Sequence, residues 1–194
     1  KTGTLTEGHP TVSGWLWAQT QEECFKNVLL AAELKSEHPL AGAIVASLKD
    51  EEKVVPAPLE SFESITGKGI KVVYEGDLFW VGSHKLLKDF DAVVTDVMAD
   101  MLVQYESEGN GIIYFGRRNQ LLAIIAVTDP VKSTSAEAVK ELRRQGIDIC
   151  MLTGDGQRTA LAVAGKLGID RFVADALPDD KEDFIRELQL QGKT

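Results

Sequence analysis

IDICMLTGD, residues 147–155, joins an alternating apolar run to a Thr-Gly-Asp turn. The run reads as a strand over 147–152, and helical periodicity resumes at once over 157–167. A helix over 133–145 precedes this pair, and a strand over 171–174 and a helix over 179–191 follow it. Strands alternating with helices indicate parallel βαβ units. In an open α/β sheet, ligands gather beyond the carboxyl ends of the strands, where Thr153, Gly154 and Asp155 fall. On its own, Thr-Gly-Asp serves equally well as a helix N-terminal cap.

The chain before residue 128 follows a different grammar. Helices are expected over 21–34 and 40–49, separated by Ser36-Glu37-His38-Pro39. Three short strands then follow, over 60–65, 70–74 and 79–82, with Glu75-Gly76-Asp77 as a tight turn. A helix over 95–108 is stopped by Gly109-Asn110-Gly111, ahead of a strand pair over 112–116 and 121–127. This is an α+β unit on an antiparallel sheet, and it reads as an insertion over 13–127 into an α/β body made of 1–12 and 128–194.

Composition narrows the function. The 194 residues are 44% hydrophobic and 26% charged, which suits one or two globular domains. A formal charge of −9 argues against a nucleic-acid or anionic-membrane surface, since those need a basic field. The apolar runs fall far short of the ~20 residues that span a bilayer. Cys24 and Cys150 have no CxxC spacing and read as two reduced thiols. His9, His84, Trp15, Trp17 and Trp80 stand outside any motif and read as packing or surface residues.

Against that acidic background the α/β body collects an unusual donor set: Thr2 and Thr4 in the opening KTGTLTEG (1–8), Asp129, Thr153 and Asp155 at strand ends, and Lys181 at the start of the last helix. Hydroxyls, an ammonium and helix N-termini suit a transferring phosphoryl group, whose oxygens need donors and positive charge.

KTGTLTEG, MLTGD (151–155) and ADALPDDK (174–181) occur in the order and approximate spacing of the P-type ATPases, whose phosphorylation domain has the haloacid dehalogenase-like, Rossmann-like fold. The inserted unit, with Glu33, Ser36-Glu37-His38-Pro39, Gly67-Lys68-Gly69 and Val81-Gly82, resembles the nucleotide-binding domain of the heavy-metal-transporting branch, whose commonest cargo is copper(I). The resemblance implies an α/β fold with an inserted α+β nucleotide-binding domain, a phosphorylation domain represented in part, ATP and Mg2+ as cofactors, and a place on the cytoplasmic side of a membrane. It implies as partners ATP or ADP and the transmembrane and actuator domains of a multi-pass parent.

The same resemblance assigns roles. Lys1, Thr2 and Thr4 belong to the opening motif, Asp-Lys-Thr-Gly-Thr, whose aspartate takes the γ-phosphate of ATP. Thr153 provides a donor to a phosphate oxygen with Gly154 beside it in the site, Lys181 neutralises the phosphoryl charge, and Thr2 offers a carbonyl to Mg2+. Asp129 and Asp155 organise the nucleotide and the interdomain contact. Glu33 and His38 hold the adenine end, and Gly67, Gly69 and Gly82 let backbone approach the nucleotide. The family often has Asn where this chain has Ser83. Phosphatases of this fold generally place an acid where Thr2 stands, so a transport ATPase is favoured over a capped phosphatase, and a module that only senses ATP is the non-enzymatic alternative. The family pattern places the aspartate before Lys1 and a Gly-Asp-Gly-x-Asn-Asp motif after Thr194. The expectation is therefore a catalytically silent piece with an open sheet edge, prone either to form a homodimer through it or to local disorder over 128–194.

Overall fold

A computed structural model describes residues 1–18, 22–190 and 192, with the side chains of Glu22, Glu23, Pro178, Asp179 and Lys181 outside that description. The elements run β1 (Thr11–Trp17), α1 (Glu22–Glu33), α2 (Ala41–Lys49), β2 (Ser61–Ile65), β3 (Gly69–Tyr74), β4 (Asp77–Gly82), α3 (His84–Asp89), α4 (Asp96–Glu108), β5 (Gly111–Arg117) and β6 (Gln120–Thr128). These form the larger unit. The α/β unit follows as α5 (Ser135–Arg144), β7 (Cys150–Leu152), α6 (Gln157–Leu167), β8 (Arg171–Val173) and α7 (Pro178–Leu190).

Six strands make one antiparallel sheet in the order β1-β6-β5-β4-β3-β2. Period-two alternation sends Phe79, Val81, Ile113, Phe115, Ala123, Ile125 and Val127 to the face covered by α1 and α2, through Val28, Leu29, Ile44 and Leu48. Trp80, Tyr114 and Ile124 point to the opposite face, under Leu86, Leu87 and Met98 of α3 and α4. Because both faces are covered, β6 reads in sequence as an uninterrupted apolar run. Local chemistry marks the ends of elements: Glu75 and Gly76, both at positive φ, turn β3 into β4, and Gly109 at φ 91° closes α4.

The antiparallel register places Gly69, Gly82 and Gly111 at one end of this sheet: Gly69 opposes Gly82, Gly82 opposes Tyr114, and Gly111 opposes Val127. Thr11 opposes Thr128 there as well, so both connections to the α/β unit leave from that end. In that unit β7 and β8 are parallel, and Val139, Met151, Ala160, Val163 and Leu167 form a separate small core.

Several expectations need correction. The segment assigned to the opening of the α/β body runs on into β1, a strand of the large sheet. Its alternation is interrupted by a register shift between Val12 and Gly14, which hides it in sequence. The meander and the later strand pair share one antiparallel sheet, as expected, but α3 was not anticipated. The strand expected over 147–152 is paired only over Cys150–Leu152, since β8 offers three residues to pair with. Trp80, expected as a packing or surface residue, does pack: it is fully buried, with its indole N–H donated to the Arg118 carbonyl at 2.8 Å. Gln21 and Gln191, included in two expected helices, lie outside the described residues.

Trp80 lies directly across from Gly116, and a Cβ built on that glycine would stand 2.2 Å from the indole ring and 2.8 Å from the Gln120 carbonyl. Gly116→Val should therefore cost about 3 kcal/mol or more of unfolding free energy in urea. A variant within about 1 kcal/mol of the parent contradicts this account of the sheet.

Candidate functional site

The turn after β7 builds the first half of the site. Thr153, 4% exposed, donates from Oγ1 to Asp155 Oδ2 at 2.7 Å and accepts the Asp155 N–H at 3.1 Å. The Lys1 ammonium reaches the same carboxylate oxygen at 2.5 Å. The turn is braced on β8 and its exit: Thr153 N–H donates to Val173, Asp175 N–H to Asp155 and Ala176 N–H to Thr153 carbonyl oxygens. A hydroxyl and an ammonium thus converge on one anionic oxygen, the arrangement a phosphate oxygen needs. Gly154 sits inside this turn, and a Cβ there would meet only the Ala176 carbonyl at 3.6 Å.

The opening segment is held beside that turn by Asp129. Its Oδ2 accepts from Thr6 Oγ1 at 2.5 Å and its Oδ1 from the Gly8 N–H at 2.9 Å. Thr6, 1% exposed, also accepts the Gly3 N–H and bridges in antiparallel fashion to Val131. Lys132 and Ser135 add bonds to the Gly3 and Leu5 carbonyls. Both Asp129 oxygens therefore bind the opening loop, which makes Asp129 a positioning group here. Thr2 and Thr4 lie exposed on that loop. Lys181 falls in the first turn of α7, and its side chain lies outside the described residues.

The second half comes from the loop between α1 and α2. Glu33, 5% exposed at the end of α1, has its carboxyl pushed up to about 7 by burial, against the opposing effect of a Ser36 hydrogen bond. His38 accepts the Leu40 N–H on Nδ1 at 3.2 Å, which leaves Nε2 to carry the proton of the neutral ring. Crowding lowers the His38 pKa even though much of the residue surface is exposed, and the Asp155 carboxylate opposes that fall. The loop and the turn are neighbours: the Cβ position of Gly111 lies 3.5 Å from Asp155 Oδ1 and 3.8 Å from Leu40 Cδ1. Asp155 thus joins Lys1 and Thr153 to the region of His38.

The glycines divide. Gly67 turns the chain at φ 69°. At Gly69 and Gly82 the absent side chains make room for the protein's own backbone, since a Cβ would stand 2.1 Å from the Val81 carbonyl or 2.2 Å from the Lys68 carbonyl. Their close approach is between strands β3 and β4. Next to them Ser83 Oγ is buried without a hydrogen-bond partner among the described residues. Sequence reasoning noted Ser83 only as a departure from the family's Asn and passed over Thr6, Asn110 and Thr159; for these three the only signal was nearness to motifs, because burial of a small polar side chain leaves no pattern of its own.

A family model for haloacid dehalogenase-like hydrolases matches residues 1–194. The chain belongs to the haloacid dehalogenase-like hydrolase family. It is 39% identical over 193 residues to the copper-exporting P-type ATPase of Staphylococcus epidermidis and 38% identical to that of Staphylococcus aureus. It spans about a quarter of the length of these relatives, 24% of the first and 23% of the second, while they cover all of it. Among solved structures it superposes on the catalytic domain of the CPx-ATPase CopB-B with a TM-score of 0.77 at 22% identity, covering 100% of this chain and 66% of that one. A zinc-transporting PIB-type ATPase in its E2.Pi state gives 0.58 at 32% identity, over 98% of this chain and 30% of the other. The haloacid dehalogenase-like fold with its large antiparallel sheet is therefore that of P-type ATPase catalytic domains. Among the described residues no helix is long and apolar enough to cross a membrane, and no three His, Cys, Asp or Glu side chains cluster as a metal site.

The raised Glu33 pKa sets a pH dependence. The folded state keeps the Glu33 proton up to about 7, whereas the unfolded chain loses it near 4.5, so this group's contribution to stability is full below 4.5 and is lost as pH rises toward 7. Glu33→Gln should gain on the parent by about 3 kcal/mol between pH 4.5 and 8 in urea unfolding. An equal difference at both pH values contradicts the burial of a carboxyl that titrates there.

Proposed function

We propose that the chain is the ATP-binding and phosphoryl-transfer segment of a P-type ATPase that moves a heavy-metal ion, copper(I) in keeping with the names of its relatives, across a membrane from whose cytoplasmic side this segment works. The observation that carries the reading is the meeting of the two motif sets at Asp155, whose carboxylate binds Lys1 and Thr153 and opposes the fall in the His38 pKa.

The donor set fits a nucleotide. Glu33 is half protonated near neutral pH and offers a donor and an acceptor, while His38 presents an Nε2 proton; together they suit the edge of an adenine base. The buried Ser83 hydroxyl beside Gly82, without a partner among the described residues, suits a further polar group of the nucleotide. Lys1 and Thr153, now bound to Asp155, would turn to the phosphoryl oxygens, and Lys181 would add a second positive charge. ATP supplies the group to be transferred to an aspartate. The Thr2 carbonyl and the nucleotide's own phosphates would hold Mg2+, which offsets their charge. The units described here, joined in a parent to transmembrane and actuator domains, would use the resulting aspartyl-phosphate to drive transport.

Self-association of the chain through the edge of β7 away from β8 belongs to the same proposal, supported by the shortness of the parallel pair and by the 47% exposure of Ile147 just before it. Light scattering should find dimers that Ile147→Lys disperses; a strictly monomeric parent at tens of micromolar removes this element alone.

ATP titration by calorimetry tests the main reading. His38→Ala should weaken binding roughly tenfold, a loss of about 1.4 kcal/mol. An affinity unchanged within about twofold overturns the nucleotide assignment.

A further inference from the structure

Contacts between the two units are concentrated on α6 and the loop after β8. Arg158 pairs with Glu106 at 3.0 Å, the Lys166 ammonium bonds the Glu108 carbonyl, and the Lys85 ammonium reaches the Asp175 carbonyl at 2.7 Å. These three lie at the surface, where ion pairs and charged bonds contribute little. One contact differs in kind. Thr159 Oγ1, on a residue 2% exposed, donates to the Asn110 carbonyl at 2.7 Å, and that bond is buried.

Both ends of this bond are anchored. Asn110, 5% exposed, accepts from Ser13 Oγ of β1 at 2.9 Å and donates from Nδ2 to the Tyr105 carbonyl at 3.0 Å, so its carbonyl is held by β1 and the end of α4 together. Thr159 lies in the first turn of α6, four residues after Asp155. The residue after Asn110 is Gly111, whose Cβ position sits between Asp155 Oδ1 and Leu40 Cδ1. The bond is thus the nearest rigid link between the turn carrying Thr153 and Asp155 and the loop carrying His38.

We propose that Thr159 is a positioning residue: its buried hydrogen bond to the Asn110 carbonyl sets the spacing between His38 and Asp155, and so between the nucleotide's base end and its phosphoryl end. The inference rests on the proposed function for what the spacing serves, but not for the spacing itself. A methyl group in place of the hydroxyl keeps the volume and strands the carbonyl, so α6 must shift to let water reach it. Asp155 then moves away from the imidazole.

The test reads His38 by NMR titration and does not need nucleotide. Thr159→Val should lower the His38 pKa further, in the same direction as Asp155→Asn, because both weaken a carboxylate's support of the charged ring. Amide exchange over 110–113 should rise roughly tenfold. Thr159→Ser, which keeps the hydroxyl, should restore both values. In the unmodified chain the Thr159 hydroxyl proton should exchange slowly enough with water to be observed. A His38 titration unchanged in a folded Thr159→Val protein, a Thr159→Ser variant that behaves like the valine one, or a hydroxyl proton exchanging at solvent rate each overturns the proposal. The last measurement decides the matter if the valine variant fails to fold. Failure of ATP binding with these three results intact would remove the nucleotide reading and leave the spacing role standing.

Discussion

One carboxylate, that of Asp155, holds the site together. It accepts from Thr153 and Lys1 on one oxygen, while the other lies at the Gly111 edge of the large sheet. An anion in this position is stable because two donors, one of them charged, are fixed around it before any ligand arrives. The same preorganisation makes the arrangement exchangeable: donors that satisfy a carboxylate oxygen also satisfy a phosphoryl oxygen.

The architecture puts that carboxylate where it can act. An antiparallel sheet brings the ends of alternate strands to one side, so Gly69, Gly82 and Gly111, far apart in sequence, share an edge. The α/β unit attaches to this edge through residues 8–11 and 128–131, and its own strand end, at Leu152, points there too. Residues of the two motif sets then meet across two bodies, each with its own core. The opening loop is kept in register by Asp129, which gives both oxygens to it. That makes Asp129 a structural clamp on the opening loop, a role that a motif comparison cannot separate from ligand contact.

Glycine shows the same limit. Gly67-Lys68-Gly69 and Gly82 suggest backbone approaching phosphate, and at Gly69 and Gly82 backbone does approach closely. It is the protein's own: strands β3 and β4 meet at Gly69 and Gly82 with no room for a Cβ on either. A glycine reports that something comes near, and only the fold says what.

The sequence alone determined the class of the two units. Thr-Gly-Asp after an apolar run, Lys-Thr-Gly-Thr at the opening and Ser-Glu-His-Pro between helices are local patterns, set by residues adjacent in the chain, and so they can be read without coordinates. Period-two and helical spacing likewise located all but β1 and α3. Tertiary structure decided the rest. β1 joined the large sheet because β6 offered a partner 112 to 117 residues away in sequence, through Thr128, Val127 and Ala126, and not because its own broken alternation demanded it. Thr6, Asn110 and Thr159 became important because each is a small polar side chain buried against a group distant in sequence. A buried polar atom must find a partner, and which partner it finds depends on how separate elements meet, a property no local window contains.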